Sequence, residues 1–308
     1  MDNQLKNKFI GCLLGVGIGD ALGAPAEGLT VSQIKDKYDV ITDYIASGDL
    51  KKGEYTDDTS MTLGILEALV ENGFFDINSI VDKFLMWFNA NPKGIGNTTY
   101  NALYLIDQGY SFEDASQEVY SPLSAGNGAA MRVAPIPLFN YKNGLEKVVQ
   151  DTIDSCLITH AHPESISGSV ATSLTIYYNI HNGDKNKLTS FLLNEGRDYI
   201  QNMNILKAIE SVDLVSEDEL ERTGYILDTI RTGLWIFMHT DSFEDSVLNA
   251  VNGGGDTDTL GAIVGSFSGS FYGFDSIPDK WIKGLKKSQN IMKLAERLYD
   301  ISILDKLF

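Results

Sequence analysis

Residues 9–23 read FIGCLLGVGIGDALG and residues 261–273 read GAIVGSFSGSFYG. In the first, Gly11, Gly15, Gly19 and Gly23 recur every four residues. In the second, Gly261, Gly265, Gly269 and Gly273 do the same, with Ala262, Ser266 and Ser270 beside them. On an α-helix, i and i+4 share a face, so each stretch predicts a helix with one stripe bare of side chains. Glycine costs roughly 1 kcal/mol per site relative to alanine inside a helix. A whole stripe is sustained only where the missing side chains let another backbone come close. The two stretches therefore predict a pair of central helices packed tightly in a core.

The rest of the chain reads as helix in the same way. Met61, Leu63, Ile65, Leu66, Leu69 and Val70 fall near i, i+3, i+4 spacing and predict a helix over 60–72. Similar periodicity predicts helices over 79–89, 168–180, 224–238 and 281–299. Short segments with Gly, Asn, Asp and Pro between them read as turns. Alternation of period two is scarce, and only short pieces such as 40–45 are candidate strands. No repeat of 20–50 residues and no low-complexity linker interrupts the pattern. One all-α domain spanning 1–308 is the simplest account.

Composition narrows the functional classes. The chain carries 42 acidic against 24 basic residues, a net charge of −18, with 43% hydrophobic and 21% charged residues. That is ordinary globular usage, and 308 residues suffice for a large core. The negative surface repels phosphate backbones and anionic lipid, so neither long nucleic acid nor membrane is an expected partner. A monomer is expected. Cys12 and Cys156 are too few for a disulfide framework or a zinc site and read as buried thiols. Lys6 and Lys8 before the apolar run 9–19, with Ala24-Pro25-Ala26 after it, have the outline of a secretory signal. The run nevertheless holds four glycines, ends in Asp20 and continues the stripe. It is read as a core helix, and the expected location is the cytoplasm. No strongly apolar, uncharged run of 18 residues suggests a spanning helix.

Two acidic motifs stand out, Tyr55-Thr56-Asp57-Asp58-Thr59 and Gly253-Gly254-Gly255-Asp256-Thr257-Asp258-Thr259. Each immediately precedes an apolar helical pattern. Either alone reads as helix capping, since Asp and Thr satisfy free N–H groups and suit the positive helix end. Together they are excessive for capping, because one cap residue suffices and adjacent carboxylates repel. Gathered in a core, four carboxylates need compensating cations. Hard cations such as Mg²⁺ or Mn²⁺ favour these oxygen donors. Neighbours such as Asp57 and Asp58 project about 100° apart on a helix and are able to face two ions or bridge them.

These motifs resemble the two metal motifs of the ADP-ribosylglycohydrolase family, the group of dinitrogenase reductase-activating glycohydrolase and ADP-ribosylarginine hydrolase. Other segments match in order: GVGIGDALGAPAE (15–27), GNGAAMRV (126–133), THAHP (159–163) and GYILDTIRTGLW (224–235). The resemblance spans about 9–275. It implies a compact orthogonal bundle of helices with a dinuclear Mg²⁺ or Mn²⁺ centre held by Thr56, Asp57, Asp58, Asp256, Asp258 and Thr259. It implies Glu27 as a carboxylate that meets substrate or its attacking water, with Asp57 and Asp258 as alternative bases. Gly126, Asn127, Gly128, Met131 and His160 are the implied ADP-ribose contacts.

Each residue also has a plainer reading. Glu27 is an ordinary loop carboxylate, 126–128 a turn, and His160 a structural histidine; His162 is read as structural. Arg132 is expected to pair with a buried carboxylate rather than bind phosphate. Tyr225 is expected in the core rather than stacked on adenine. One departure bears on specificity: some arginine-specific members carry Asp-Ile-Gly where this chain has Gly94-Ile95-Gly96. The implied activity is hydrolysis of ADP-ribose from a modified protein side chain. The alternatives are a small or nucleic-acid-linked ADP-ribose conjugate as substrate, or a non-catalytic binder or structural relative.

Overall fold

The two glycine stripes face each other. In the computed structural model, which describes residues 2–304, helix α1 (Asp2–Gly23) lies antiparallel to a late helix, Thr257–Tyr272. A methyl group added at Gly15 would overlap the carbonyl of Gly265, one at Gly19 that of Gly261, and one at Gly23 that of Thr257. Gly11 stands against Gly269, its missing Cβ 2.6 Å from that carbonyl oxygen. Gly273 is the exception to the predicted stripe. It ends the helix at φ +82, a left-handed value that glycine adopts without strain.

The helices between are α2 (Val31–Tyr38), α3 (Asp57–Asn72), α4 (Ile77–Asn89), α5 (Asn97–Asp107), α6 (Phe112–Glu118), α7 (Pro135–Phe139), α8 (Leu145–Cys156), α9 (Pro163–Ile180), α10 (Leu188–Leu193), α11 (Met203–Glu210), α12 (Ile226–His239) and α13 (Phe243–Asn252). The glycine-striped partner of α1 is α14, and α15 (Asp279–Gly284) and α16 (Ser288–Ile303) follow it. Among the described residues there is no strand, only isolated bridges at Ser47–Leu50 and Gly126–Tyr225. Helices α9, α12 and α13 pack on α14, while α3 and α16 pack on α1. Leu13, Leu14, Val16, Ile18 and Leu22 of α1 are fully or almost fully buried, and that burial offsets the intrinsic cost of the glycines.

Several expectations are corrected. Residues 40–45 are irregular because side chains satisfy their backbone. Asn252 accepts from Ile41 N–H at 2.8 Å and donates to its carbonyl at 2.9 Å, and Trp281 Nε1 donates to Thr42 O. The helix expected over 281–299 breaks at 285–287. Lys286 N–H turns aside to Gly53 O at 2.8 Å, and Lys287 takes φ +59. By length and composition 3–26 would pass as a membrane span, contrary to the sequence reading, but its most apolar 18-residue window is buried inside the protein. Cys12 and Cys156 are free and buried, as expected.

The antiparallel pairing decides where the chemistry falls. It brings the end of α1 to the start of α14, where Thr257 Oγ1 donates to Gly23 O at 2.8 Å. The start of α3 sits one turn back along α1, at Asp20.

Candidate active site

The start of α3 is built by a residue of α1. Asp20, fully buried, accepts from Thr56 N–H at 2.9 Å and Thr59 N–H at 3.0 Å, and from the hydroxyls of Thr56 and Thr59 at 2.8 and 2.5 Å. A carboxylate from another helix therefore satisfies the free N–H groups that Asp57 and Asp58 were candidates to cap. Thr56 occupies the N-cap position without a side-chain cap bond. Sequence reasoning passed over Asp20. The available signal was a lone charge inside a glycine-striped apolar helix.

The start of α14 follows a turn that only glycine fits. Gly254 and Gly255 both have φ +76, and a Cβ on Gly255 would overlap the carbonyl of Arg222. The turn is fixed by Gly255 N–H to Leu29 O, Gly28 N–H to Gly255 O and Asp256 N–H to Arg222 O, all 2.8 Å. Asp256 takes the N-cap position of α14, again without a side-chain cap bond. Its Oδ2 accepts instead from Asn127 Nδ2 at 2.7 Å. Capping thus accounts for neither motif, apart from one short contact of Asp258 Oδ1 with Thr259 N–H at 3.0 Å.

The carboxylates converge. Asp20 is pushed up to about 6 by burial and Asp57 to about 8 by burial and then the charge of Asp20. Asp58 is raised well above the carboxylate range by burial, then by Asp20, Asp57 and Asp256. Asp258 is raised by burial, then by Asp58, Asp256 and Glu27, and Glu27 by burial and then Asp256. Residues of both motifs are therefore each other's neighbours. Asp58 Oδ1 is buried with no hydrogen-bond partner among the described residues. Among the described residues no three His, Cys, Asp or Glu side chains form a ready-made cage. The donor set is mixed, with the Thr56 and Thr259 hydroxyls beside the aspartates. An all-oxygen set with excess negative charge and an orphaned buried oxygen fits hard divalent cations.

A cleft of about 550 Å³ opens over this cluster, within the range for small-molecule sites. Glu27, Asp57, Asp256, Asp258 and Thr259 line it together with Gly126, Asn127, Gly128, Met131 and His160. Thr56 and Asp58 are buried and are not among its lining residues. Asn127 turns its amide onto Asp256 and Thr229, so it holds a member of the acidic cluster. Gly94 also lines the cleft, at φ +79, and a Cβ there would stand 3.4 Å from Asp57 Oδ1.

Two plainer expectations fail. Arg132 is fully buried and has no carboxylate partner among the described residues. It donates to Ser155 O at 3.1 Å and Thr159 Oγ1 at 2.8 Å and lies 4.8 Å from the centre of the Phe84 ring. Neutral acceptors and a ring face were cheaper to supply at that depth than a second buried charge. Tyr225 is 38% exposed, not a core residue, and its hydroxyl donates to Glu164 at 2.6 Å. His162 is structural as read: its Nδ1 accepts from Glu164 N–H at the start of α9.

Comparison with known proteins bears on the family and the fold. The ADP-ribosylglycohydrolase profile matches residues 1–306. The chain is 31% identical over 311 residues to the ADP-ribosylarginine hydrolase Tri1 of Serratia proteamaculans, covering 97% of this chain and 80% of that one. It is 31% identical over 311 residues to the ADP-ribosyl-(dinitrogen reductase) glycohydrolase of Rhodospirillum rubrum, covering 98% and 99%. A solved structure described as an ADP-ribosylglycohydrolase-related protein complex superposes with a TM-score of 0.83 at 27% identity, covering 98% of this chain and all of its own.

Proposed function

The chain belongs to the ADP-ribosylglycohydrolase family, and from that premise we propose that it hydrolyses the bond between ADP-ribose and a modified protein side chain with the help of two divalent cations, Mg²⁺ or Mn²⁺. The linkage is N-glycosidic to arginine or O-glycosidic to serine. The observation that carries the reading is the meeting of both acidic motifs under one cleft, with Asp58 Oδ1 buried and unpaired.

Thr56, Asp57, Asp58, Asp256, Asp258 and Thr259 would hold the cations. When bound, these supply positive charge, coordination for ribose hydroxyls and Lewis acidity toward water. The chain's own residues do the rest. The start of α14 and the 126–128 loop fix the distal ribose and diphosphate within the cleft, which limits the substrate to aligned poses. Glu27, at the cleft surface with its affinity for a proton raised by burial and Asp256, accepts a proton from the attacking water. Asp57 and Asp258 are the alternative bases. Bond breaking at the anomeric carbon passes through an oxocarbenium-like state, which the surrounding carboxylates stabilise electrostatically.

Release of ADP-ribose from arginine- and serine-linked peptides, with Mg²⁺ or Mn²⁺ and with excess chelator, tests the proposal. Release should need the cation and be lost in Asp258→Asn. Full turnover in protein shown to be free of metal would overturn the cation assignment. Binding of ADP-ribose without any release would favour a non-catalytic relative.

A further inference from the structure

His160 lines the cleft with one ring nitrogen and turns the other inward, and the inward contacts decide which nitrogen bears the proton. Its Nδ1 lies 2.8 Å from Thr159 Oγ1. That oxygen also receives Arg132 Nη2 at 2.8 Å. Arginine has only donors, so one lone pair of the hydroxyl is committed. The hydroxyl has a single proton, Thr159 is fully buried, and no other hydrogen-bond partner of its Oγ1 is present among the described residues. If Nδ1 carried a proton, it would donate to the same oxygen and leave the hydroxyl proton buried with no acceptor, which is costly. The arrangement that leaves neither the Thr159 hydroxyl nor Nδ1 unpaired has Arg132 donating to Thr159 and Thr159 donating to Nδ1.

We propose that Arg132, acting through Thr159, locks His160 as the neutral Nε2–H tautomer, so that the imidazole presents a hydrogen-bond donor to an acceptor oxygen of ADP-ribose. Arg132 is then a positioning residue, not a contact. The outward edge is kept open by glycine: a Cβ on Gly128 would come within 3.2 Å of Nε2 and 3.0 Å of Cε1, and one on Gly126 within 3.6 Å of Nε2. Burial, followed by the charge of Arg132, holds the ring down at about 3, so it stays neutral. A neutral donor suits a ribose or diphosphate oxygen and gives no help to a cationic group. The ligand half of the proposal rests on the functional reading above, whereas the tautomer half does not.

Ring ¹⁵N NMR of the wild-type protein, with the His160 signals assigned by their loss in His160→Gln, reads the tautomer directly. A pyrrole-type signal at Nε2 and a pyridine-type signal at Nδ1 are expected. Thr159→Val should abolish that preference and weaken ADP-ribose binding about tenfold by calorimetry, the scale of one charge-assisted hydrogen bond. Thr159→Ser, which restores the hydroxyl, should recover both. The unaltered signals of His162, His181 and His239 report that the variants are folded. If Thr159→Val fails to fold, the wild-type spectrum and Thr159→Ser decide alone. A wild-type ring protonated on Nδ1, or an unchanged tautomer in Thr159→Val, overturns the relay. A correct tautomer in a protein that does not bind ADP-ribose overturns the ligand assignment instead.

Discussion

Asp20 has no place in the cleft, yet it accepts four donors from the two threonines that flank the first acidic pair. An amide in its place turns one acceptor into a donor facing donors. Asp20→Asn should therefore cost about 2–4 kcal/mol of stability and most of the activity, since the start of α3 loses its anchor. Urea denaturation checks the first, and a variant within about 0.5 kcal/mol of wild type would show that the anchor is dispensable. His160 gives a prediction in pH. Its folded pKa, held at about 3 by burial and then Arg132, lies below the unfolded value of about 6.5. Between those values the unfolded chain binds the extra proton, so stability is lost as pH falls below about 6.5. The loss is up to about 2 kcal/mol by pH 5 at roughly 1.4 kcal/mol per unit. The carboxylates raised by burial act with the opposite sign in the same region, so the readout is the difference between wild type and His160→Gln. That difference should shrink steadily from pH 7 to pH 5, and a constant offset would mean that the ring binds its proton equally well in the folded and unfolded chain.

The close helix pair makes a sharp distinction among glycines. A methyl at Gly19 or Gly265 runs into a backbone carbonyl on the opposing helix, which has nowhere to move. A methyl at Gly17 meets only the ends of Leu285, Ile291 and Thr59 at 3.2–3.5 Å. Gly19→Ala and Gly265→Ala should each cost about 3 kcal/mol or more, through forced separation of the pair. Gly17→Ala should be near neutral, because the gain in helix propensity of up to about 1 kcal/mol offsets slight crowding. Equal losses at Gly17 and Gly19 in denaturant titrations would remove close approach as the reason for the stripe. The same contrast explains what was legible in the sequence. The i+4 glycines and the placement of Asp57, Asp58, Asp256 and Asp258 at helix starts depend on local periodicity, which a sequence displays. The break at Lys287, the irregular run around Ile41, the role of Asp20 and the partners of Arg132 depend on groups brought together from distant segments. Asn252 lies 211 residues from Ile41, and Asp20 lies 36 from Thr56. No window of sequence contains such a pair.

At the scale of the molecule, the antiparallel packing of α1 and α14 closes a loop through nearly the entire chain. Residues 20–27, 56–59 and 256–259 meet at one end of it, and all three segments are acidic there. The net charge of −18 adds a diffuse repulsion, but the steep local term is the carboxylate cluster, where burial and mutual charge raise Asp57, Asp58 and Asp258 together. Such a cluster is destabilising as it stands and becomes a cross-link when positive charge is supplied. A cation that binds only the folded chain stabilises it by RT ln(1 + [L]/Kd), about 2.7 kcal/mol at a hundredfold excess over Kd. For a chain of this size that is on the order of 5 °C in melting temperature. Mg²⁺ or Mn²⁺ should therefore raise the melting temperature in a concentration-dependent way and well beyond KCl at matched ionic strength, because screening relieves the diffuse charge and not the buried pairs. Asp258→Asn removes one like charge from the cluster, so in chelator it should melt at or above wild type while losing most of the rise with cation. Those two shifts have opposite signs, which separates loss of a ligand from general damage to the fold. Identical melting of wild type in chelator and in millimolar cation would mean that the acidic motifs meet for some other reason.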